Sequence, residues 1–464
     1  MMNTAGTEVR EGQPGLAATL RPRHVSMIAF GGTIGAGIFV GSGQHIAEIG
    51  PAIVVSYLVV GIVAVVVMRL LSALTQRDPD SGAFAVYAGK AFGHVGRFSV
   101  GWIYWWLLVV TASVECNGAA SIAHTWLPGM PAWGWSLMFT ATLALINLSP
   151  VRVFGEFQFW LAIIKVVLAV GVPALALLAV LGVLPRVHSP GFSNVVNNGG
   201  LFPFGSGSVF SGMLVAAFSF IGIEMAAIAS GEADRPSRVV RRSIRVTAYT
   251  VLAIYVVAMA MTVLLAPWNS PAVAASPFGS MMDALRFPGT ATIINIVVFT
   301  ALLSVLSACV YSASRIGYSL AQRQDAPRSW AKLSPNRVPK NAVLWSAVIA
   351  FAISFTNYVA PASVSTVLVD SSGAVGILVW IGIALSYLRI RPSPDVRLSH
   401  VPVRPPRRLS IAAWLAALAL LGMLVGMVFV PATELELLMT AIPIIVIFIV
   451  VLWRETNASA DPDW

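Results

Sequence analysis

The sequence predicts an all-α polytopic membrane protein in which two of the crossing helices are interrupted. Three observations carry that expectation. The chain is 57% hydrophobic and 10% charged with mean hydropathy +0.82, whereas soluble domains carry about 25% charged residues. Apolar runs of roughly 20 residues, enough to cross a bilayer as helix, recur along its length. Residues 30–43 read Phe-Gly-Gly-Thr-Ile-Gly-Ala-Gly-Ile-Phe-Val-Gly-Ser-Gly, six glycines in fourteen positions inside the first such run.

Taken in order, the runs give twelve spans near 25–43, 51–74, 99–123, 132–149, 157–183, 208–230, 247–267, 290–320, 342–358, 363–388, 410–430 and 436–453. The ninth and tenth are so close that they form a tight hairpin. The domain plan is a polar N-terminal tail at 1–24, one transmembrane domain at 25–453 and a C-terminal tail at 454–464. The first apolar run lacks a signal-peptidase pattern and reads as an uncleaved span with the N-terminus in the cytoplasm. With that orientation 26 of the 29 lysines and arginines fall on the cytoplasmic side, as the positive-inside rule requires. Both termini are then cytoplasmic, and the plasma (inner) membrane is the expected location. The net charge of +10 is spread along one membrane face, which argues against a nucleic-acid partner and makes the lipid bilayer the extended one.

Several chemistries have no support. Cys116 and Cys309 lie in apolar runs as isolated thiols, and the six histidines show no HExxH or CxxC spacing, so neither a metal nor a cofactor is expected. There is no GxSxG nucleophile elbow, so an enzyme is not expected. Gly35-Ala36-Gly37 has the opening of a dinucleotide fingerprint but lacks the preceding strand of a βαβ unit.

Glycine costs a helix about 1 kcal/mol per position relative to alanine, and opened backbone in hydrocarbon must be satisfied by something polar. The 30–43 segment therefore reads as a helix built to break around a ligand. Close helix packing through the GxxxG pairs Gly31/Gly35 and Gly37/Gly41 is the alternative. Phe218-Ser219-Phe220-Ile221-Gly222-Ile223-Glu224 suggests a second break in the sixth span. Paired broken helices in two halves of a chain are the sequence mark of a transporter site.

Three charges lie at membrane depth: Glu115 in the third span, Lys165 in the fifth and Glu224 in the sixth. Each costs roughly 2.5–3.5 kcal/mol on the insertion scale, which makes function the default reading. A purely structural ion pair between Lys165 and one glutamate is the other. Burial disfavours the ammonium form, so Lys165 suits binding and releasing a proton. Glu156, near the interface, and Asp370, near a span start, read as capping or solvent contacts.

Six ordered segments together resemble the amino-acid permeases of the amino acid–polyamine–organocation superfamily, in the bacterial amino-acid transporter branch. They are GGTIGAGIFVGSG, Pro79 to Phe84, Gly101 to Trp106, Gly155 to Trp160 with Ile164-Lys165, FSFIGIE, and Ser312 to Arg315 leading to Asp325-Ala326-Pro327 and Val338-Pro339. The resemblance implies a five-plus-five inverted-repeat core, spans one to five and six to ten, with two peripheral helices and substrate between spans one and six. It places the α-carboxylate on the amides around Gly35, Ala36 and Gly37, and the amino group on carbonyls near Ile34, Phe218 and Ile221, beside Gly222. Phe218 would be an aromatic gate and Glu224 a coupling residue, with Glu115 grouped among the coupling or gating positions. Lys165 would put its ammonium where sodium-dependent relatives bind a cation, favouring protons. The chain departs from the family at Leu71-Ser72-Ala73-Leu74-Thr75, where an acidic LGEMA-like patch is common, and at Ile223, where a hydroxyl residue is common. Tyr104-Trp105-Trp106 followed by Glu115 resembles the 4-aminobutyrate permease subgroup. The implied function is proton-coupled symport of a small amino acid, with an exchanger, or a sensor that binds without flux, as alternatives.

Overall fold

The computed structural model describes residues 15–77, 80–184, 187, 189–234, 236–359, 363–390, 407–429 and 434–458. The chain is helical throughout these residues: α1 Pro22–Thr33, α2 Ser42–Ile49, α3 Ile53–Arg77, α4 Ala83–Trp126, α5 Ala132–Leu148, α6 Val151–Val180, α7 Phe192–Val196, α8 Ser208–Phe220, α9 Met225–Ala229, α10 Pro236–Leu265, α11 Pro271–Ala275, α12 Pro277–Ala284, α13 Thr290–Gln322, α14 Lys340–Val359, α15 Ser363–Arg389, α16 Arg407–Val428 and α17 Glu434–Ala458. Among the described residues nine segments are long and apolar enough to cross a bilayer, and Pro22–Gln76 is one continuous segment holding the first two expected spans. Ala132–Leu148 and Thr440–Val451 are shorter apolar helices.

Two boundaries differ from the sequence expectation for a local reason. The third span was expected from residue 99, but α4 begins at Ala83. Gly93 inside it has φ 72° and ψ −157°, so the chain turns there and the membrane arm is the part beyond. Polar residues such as Lys90 and Arg97 hide this arrangement from a hydropathy window. The seventh span was expected from 247, and α10 starts at Pro236, a residue preset for a helix's first turn.

Packing follows a repeat. α4 packs on α13 and α3 on α10; α1 packs on α6 as α8 packs on α15; α3 meets α8 as α10 meets α1; and α5 meets α14. Each pairing recurs with helices five crossings further on. Five is odd, so the second unit enters from the opposite side, and the repeat is inverted. Helices α16 and α17 lie outside this core against α3, α4 and α15. The two broken helices, α1/α2 and α8/α9, sit at the centre, and the whole of α9 is buried.

Ion pairs, one of them fully buried, tie one end of the bundle together. Glu232, just after α9, pairs with Arg315 of α13 at 2.7 Å, and both are 1% exposed. The Arg315 guanidinium lies 4.1 Å above the Tyr311 ring, which stacks on Phe154. At the same end Arg97 meets Asp325 at 2.5 Å and Arg323 meets Asp80 at 2.8 Å. A short parallel bridge joins Leu20 to Ala233, with the Leu20 amide donating to the Glu232 carbonyl at 2.9 Å and the Asp234 amide to the Leu20 carbonyl at 3.1 Å.

Candidate functional site

The first helix opens where its glycines predict. Helix α1 ends at Thr33, Ile34 is extended (φ −82°, ψ 97°), and a π-helical turn runs over Gly37–Gly41 before α2. Opening frees carbonyls and amides that the bilayer cannot satisfy, and side chains from four other helices reach them, the Ser304 hydroxyl of α13 donating to the Gly31 carbonyl at 3.5 Å. The Lys165 ammonium of α6 donates to the carbonyls of Gly31 at 2.5 Å, Ile34 at 2.8 Å and Ala301 at 3.5 Å. The Tyr255 hydroxyl of α10 donates to the Thr33 carbonyl at 3.0 Å. The Ala36 amide donates to both oxygens of Glu115, on α4, at 3.0 and 3.2 Å.

Lys165 is wholly buried and Glu115 is 2% exposed. They serve opposite poles of one break, the ammonium on carbonyls and the carboxylate on an amide, and the hydrogen bonds of Lys165 go to backbone. The structural ion pair considered for Lys165 is thus not formed with a described carboxylate. Gly35 is what admits Glu115: a Cβ there would lie 2.6 Å from its Oε1 and 2.6 Å from Val305 Cγ2.

The second break is made differently. Helix α8 ends at Phe220, Ile221 is extended, and Gly222 has φ 106°, a conformation that L side chains rarely adopt. A Cβ at 222 would fall on the Gly32 carbonyl oxygen and 3.0 Å from the Thr33 nitrogen, so the two broken helices cross backbone to backbone here. The Gly222 amide donates to Glu224 Oε1 at 3.1 Å, and the Tyr104 hydroxyl of α4 donates to the same oxygen at 3.1 Å. Among the described residues Glu224 Oε2 is buried with no partner at full hydrogen-bond geometry. Phe218 lies over the first break, its Cδ1 3.1 Å from where a Gly37 Cβ would be, and Ser219, bonded to Tyr57 at 2.8 Å, crowds the same side of Gly37 with its Oγ 2.6 Å from that point.

The structure thus gathers Ile34, Gly35, Ala36, Gly37, Phe218, Ile221, Gly222, Lys165, Glu224 and Glu115 in one region. Two groups expected to be free are engaged: the Ile34 carbonyl by Lys165 and the Ala36 amide by Glu115. Glu156 forms an ion pair with Arg23 and a hydrogen bond with His24 at the start of α1, while the Asp370 side chain lies outside those described. Trp105 belongs to the scaffold: it packs with Trp102 and Trp330 and its indole donates to Ser346 at 3.1 Å.

Tyr104 and Tyr255 were missed by sequence reasoning as parts of this centre, and the Glu232–Arg315 pair as a tie at one end of the bundle. Arg315 had a readable signal, since it falls inside the expected 290–320 span and so is a fourth charge at depth. The tyrosines carried none.

This geometry, two crossed and interrupted helices with charged groups on their open backbone, is that of a transporter core, and comparison with known proteins agrees. Residues 24–461 match the model of the family described as amino acid permease. The chain belongs to the amino acid permease family. It is 38% identical to the gamma-aminobutyric acid permease of Escherichia coli (strain K12) over 431 residues, 92% of each chain. It is 37% identical to the gamma-aminobutyric acid permease of Bacillus subtilis (strain 168) over 441 residues, 94% of this chain and 92% of that one. An aromatic amino acid transport protein, AroP, of Corynebacterium glutamicum is also 37% identical, over 381 residues covering 81% of this permease and 82% of that protein. Amino acid transport by a multi-pass membrane protein is therefore the activity class of this permease.

Proposed function

We propose that this permease is a proton-coupled symporter that imports a small amino acid, 4-aminobutyrate being the first candidate, across the plasma membrane with both termini in the cytoplasm. The observation that carries the proposal is the Lys165 ammonium on the carbonyls of Gly31, Ile34 and Ala301. Open carbonyls at a helix break are a cation site, and here the cation on Gly31 and Ile34 is a covalently attached one, steadied by the Ala301 carbonyl of the neighbouring α13. A lysine ammonium has three N–H donors for these three acceptors. When it loses its proton it has only two, and its charge is gone, so the break is held less firmly. Proton binding and backbone geometry are coupled in this way at one nitrogen.

The substrate lies between the breaks. Its carboxylate sits on the amides of Gly35 to Gly37, where the opened helix presents N–H groups, and Phe218 covers it. Its ammonium faces the carbonyls of the second break around Phe218 and Ile221. Glu224 links the site to closure, because its Oε1 holds the Gly222 amide while its Oε2 is available to a proton. The substrate preference draws on two of the relatives reported above, which are named for gamma-aminobutyric acid.

The test is uptake of a labelled amino-acid panel including 4-aminobutyrate into sodium-free proteoliposomes with an imposed inward proton gradient. The expected result is accumulation that a protonophore removes. Flux only against preloaded amino acid makes the permease an exchanger, and saturable binding without flux makes it a sensor.

A further inference from the structure

Glu115 occupies the place that the proposed function gives to the substrate's carboxylate. Both of its oxygens lie on the Ala36 amide, at 3.0 and 3.2 Å, in a pocket that exists because Gly35 has no side chain. Val305 bounds the same pocket from α13. One N–H cannot hold two carboxyl groups at once, so an incoming carboxylate must displace Glu115 from the Ala36 amide. The likeness is also one of skeleton. From backbone nitrogen to carboxylate, a glutamate residue runs N–Cα–Cβ–Cγ–Cδ, which is the atom sequence of 4-aminobutyrate. The carbon next to the carboxylate is an unbranched methylene in both.

We infer that Glu115 is a resident surrogate for the substrate, holding the first break's amide until an incoming carboxylate on an unbranched chain displaces it. The inference rests on the proposed site, since it requires that substrate carboxylates bind at Gly35 to Gly37. It assigns Glu115 a role beyond general coupling: it keeps the empty break satisfied and sets the affinity threshold that a ligand must exceed. It also selects a chemical class, ω-amino acids and other straight-chain carboxylates, over ligands that branch next to the carboxylate.

The experiment uses the purified full-length permease and measures binding of labelled 4-aminobutyrate and its displacement by n-butyrate and by n-butylamine. The wild type is compared with Glu115→Gln, which keeps an acceptor for the amide but removes the charge, and with Glu115→Asp, which keeps the charge but withdraws it by one methylene. Both variants weaken the hold on the Ala36 amide, Glu115→Gln because a neutral acceptor holds an N–H roughly half as strongly as a charged one and Glu115→Asp because its oxygens no longer reach as far. Both should therefore bind 4-aminobutyrate and n-butyrate about fivefold to tenfold more tightly, with n-butylamine unchanged. A residue that only supports the fold would not raise affinity when weakened. Unchanged or weaker n-butyrate binding in both variants overturns the inference and leaves the site standing. A selective loss of n-butylamine binding also overturns it, because Glu115 would then hold the substrate's ammonium. If 4-aminobutyrate binds neither the wild type nor either variant, the proposed substrate fails and the inference fails with it.

Discussion

The two broken helices solve the same problem with different resources. The first break is satisfied from outside, by Lys165 of α6, Glu115 of α4 and Tyr255 of α10. The second is satisfied mainly from within, by Glu224 folding back onto the Gly222 amide, with the Tyr104 hydroxyl donating to the same oxygen from outside. Opened backbone in a membrane must find partners, but where those partners come from decides what can move. A break held by other helices senses their displacement and their charge. A self-capped break carries its cap with it and moves as a unit. Under the proposed mechanism the first break is the coupling element, and the second the moving one. Glycine at 222 lets the two pass in contact, next to the Gly32 carbonyl.

Substitutions that remove one set of partners test this division. Lys165→Ala takes away a donor shared by three carbonyls and should have the largest effect. Proton-driven accumulation and its pH dependence should both vanish, while size-exclusion chromatography still shows a monodisperse folded protein. Retained pH dependence would remove Lys165 from the coupling step. Glu232→Ala breaks the pair that anchors the chain after α9 to α13 and leaves Arg315 buried without its carboxylate. Breaking a buried pair costs about 3–5 kcal/mol, which a fall in detergent melting temperature should report.

The next effects are smaller and kinetic. Glu224→Gln keeps the acceptor for Gly222 and Tyr104 but cannot exchange a proton, so turnover should fall about tenfold, a barrier change of about 1.4 kcal/mol, with substrate affinity moving much less. Equal losses of both would make Glu224 a ligand contact. Tyr104→Phe removes a single hydrogen bond from the same carboxylate. Such a bond contributes about 0.5–1.5 kcal/mol net, so uptake should drop only a fewfold, and a complete loss would show that the second break is not self-capped.

Much of this comparison was legible in the sequence, and unevenly so. The glycine cluster announced the first break because its six glycines surround the helix, whereas a packing face needs small residues on one side. Lys165, Glu115 and Glu224 announced themselves because charge at depth is costly. What could not be read was which partner each would take. Glu115 meets Ala36 across 79 residues and Tyr255 meets Thr33 across 222, so those pairings are products of the tertiary fold. A buried tyrosine has no sequence mark separating a core ring from a backbone donor. Gly222 was a faint signal for the second break, since a lone glycine in a span is ordinary, and only its φ of 106° shows its use. Arg315 was overlooked because orientation arithmetic placed it with the cytoplasmic cations, although the hydropathy window already contained it.

The most direct test of the account is an experimental structure of the permease with 4-aminobutyrate bound. The account predicts ligand density between the two breaks, with its carboxylate on the amides of Gly35 to Gly37, Lys165 still on the carbonyls of Gly31 and Ile34, and the ring of Phe218 over the ligand. Ligand density away from both breaks, or a carboxylate held by Lys165 itself, would contradict it.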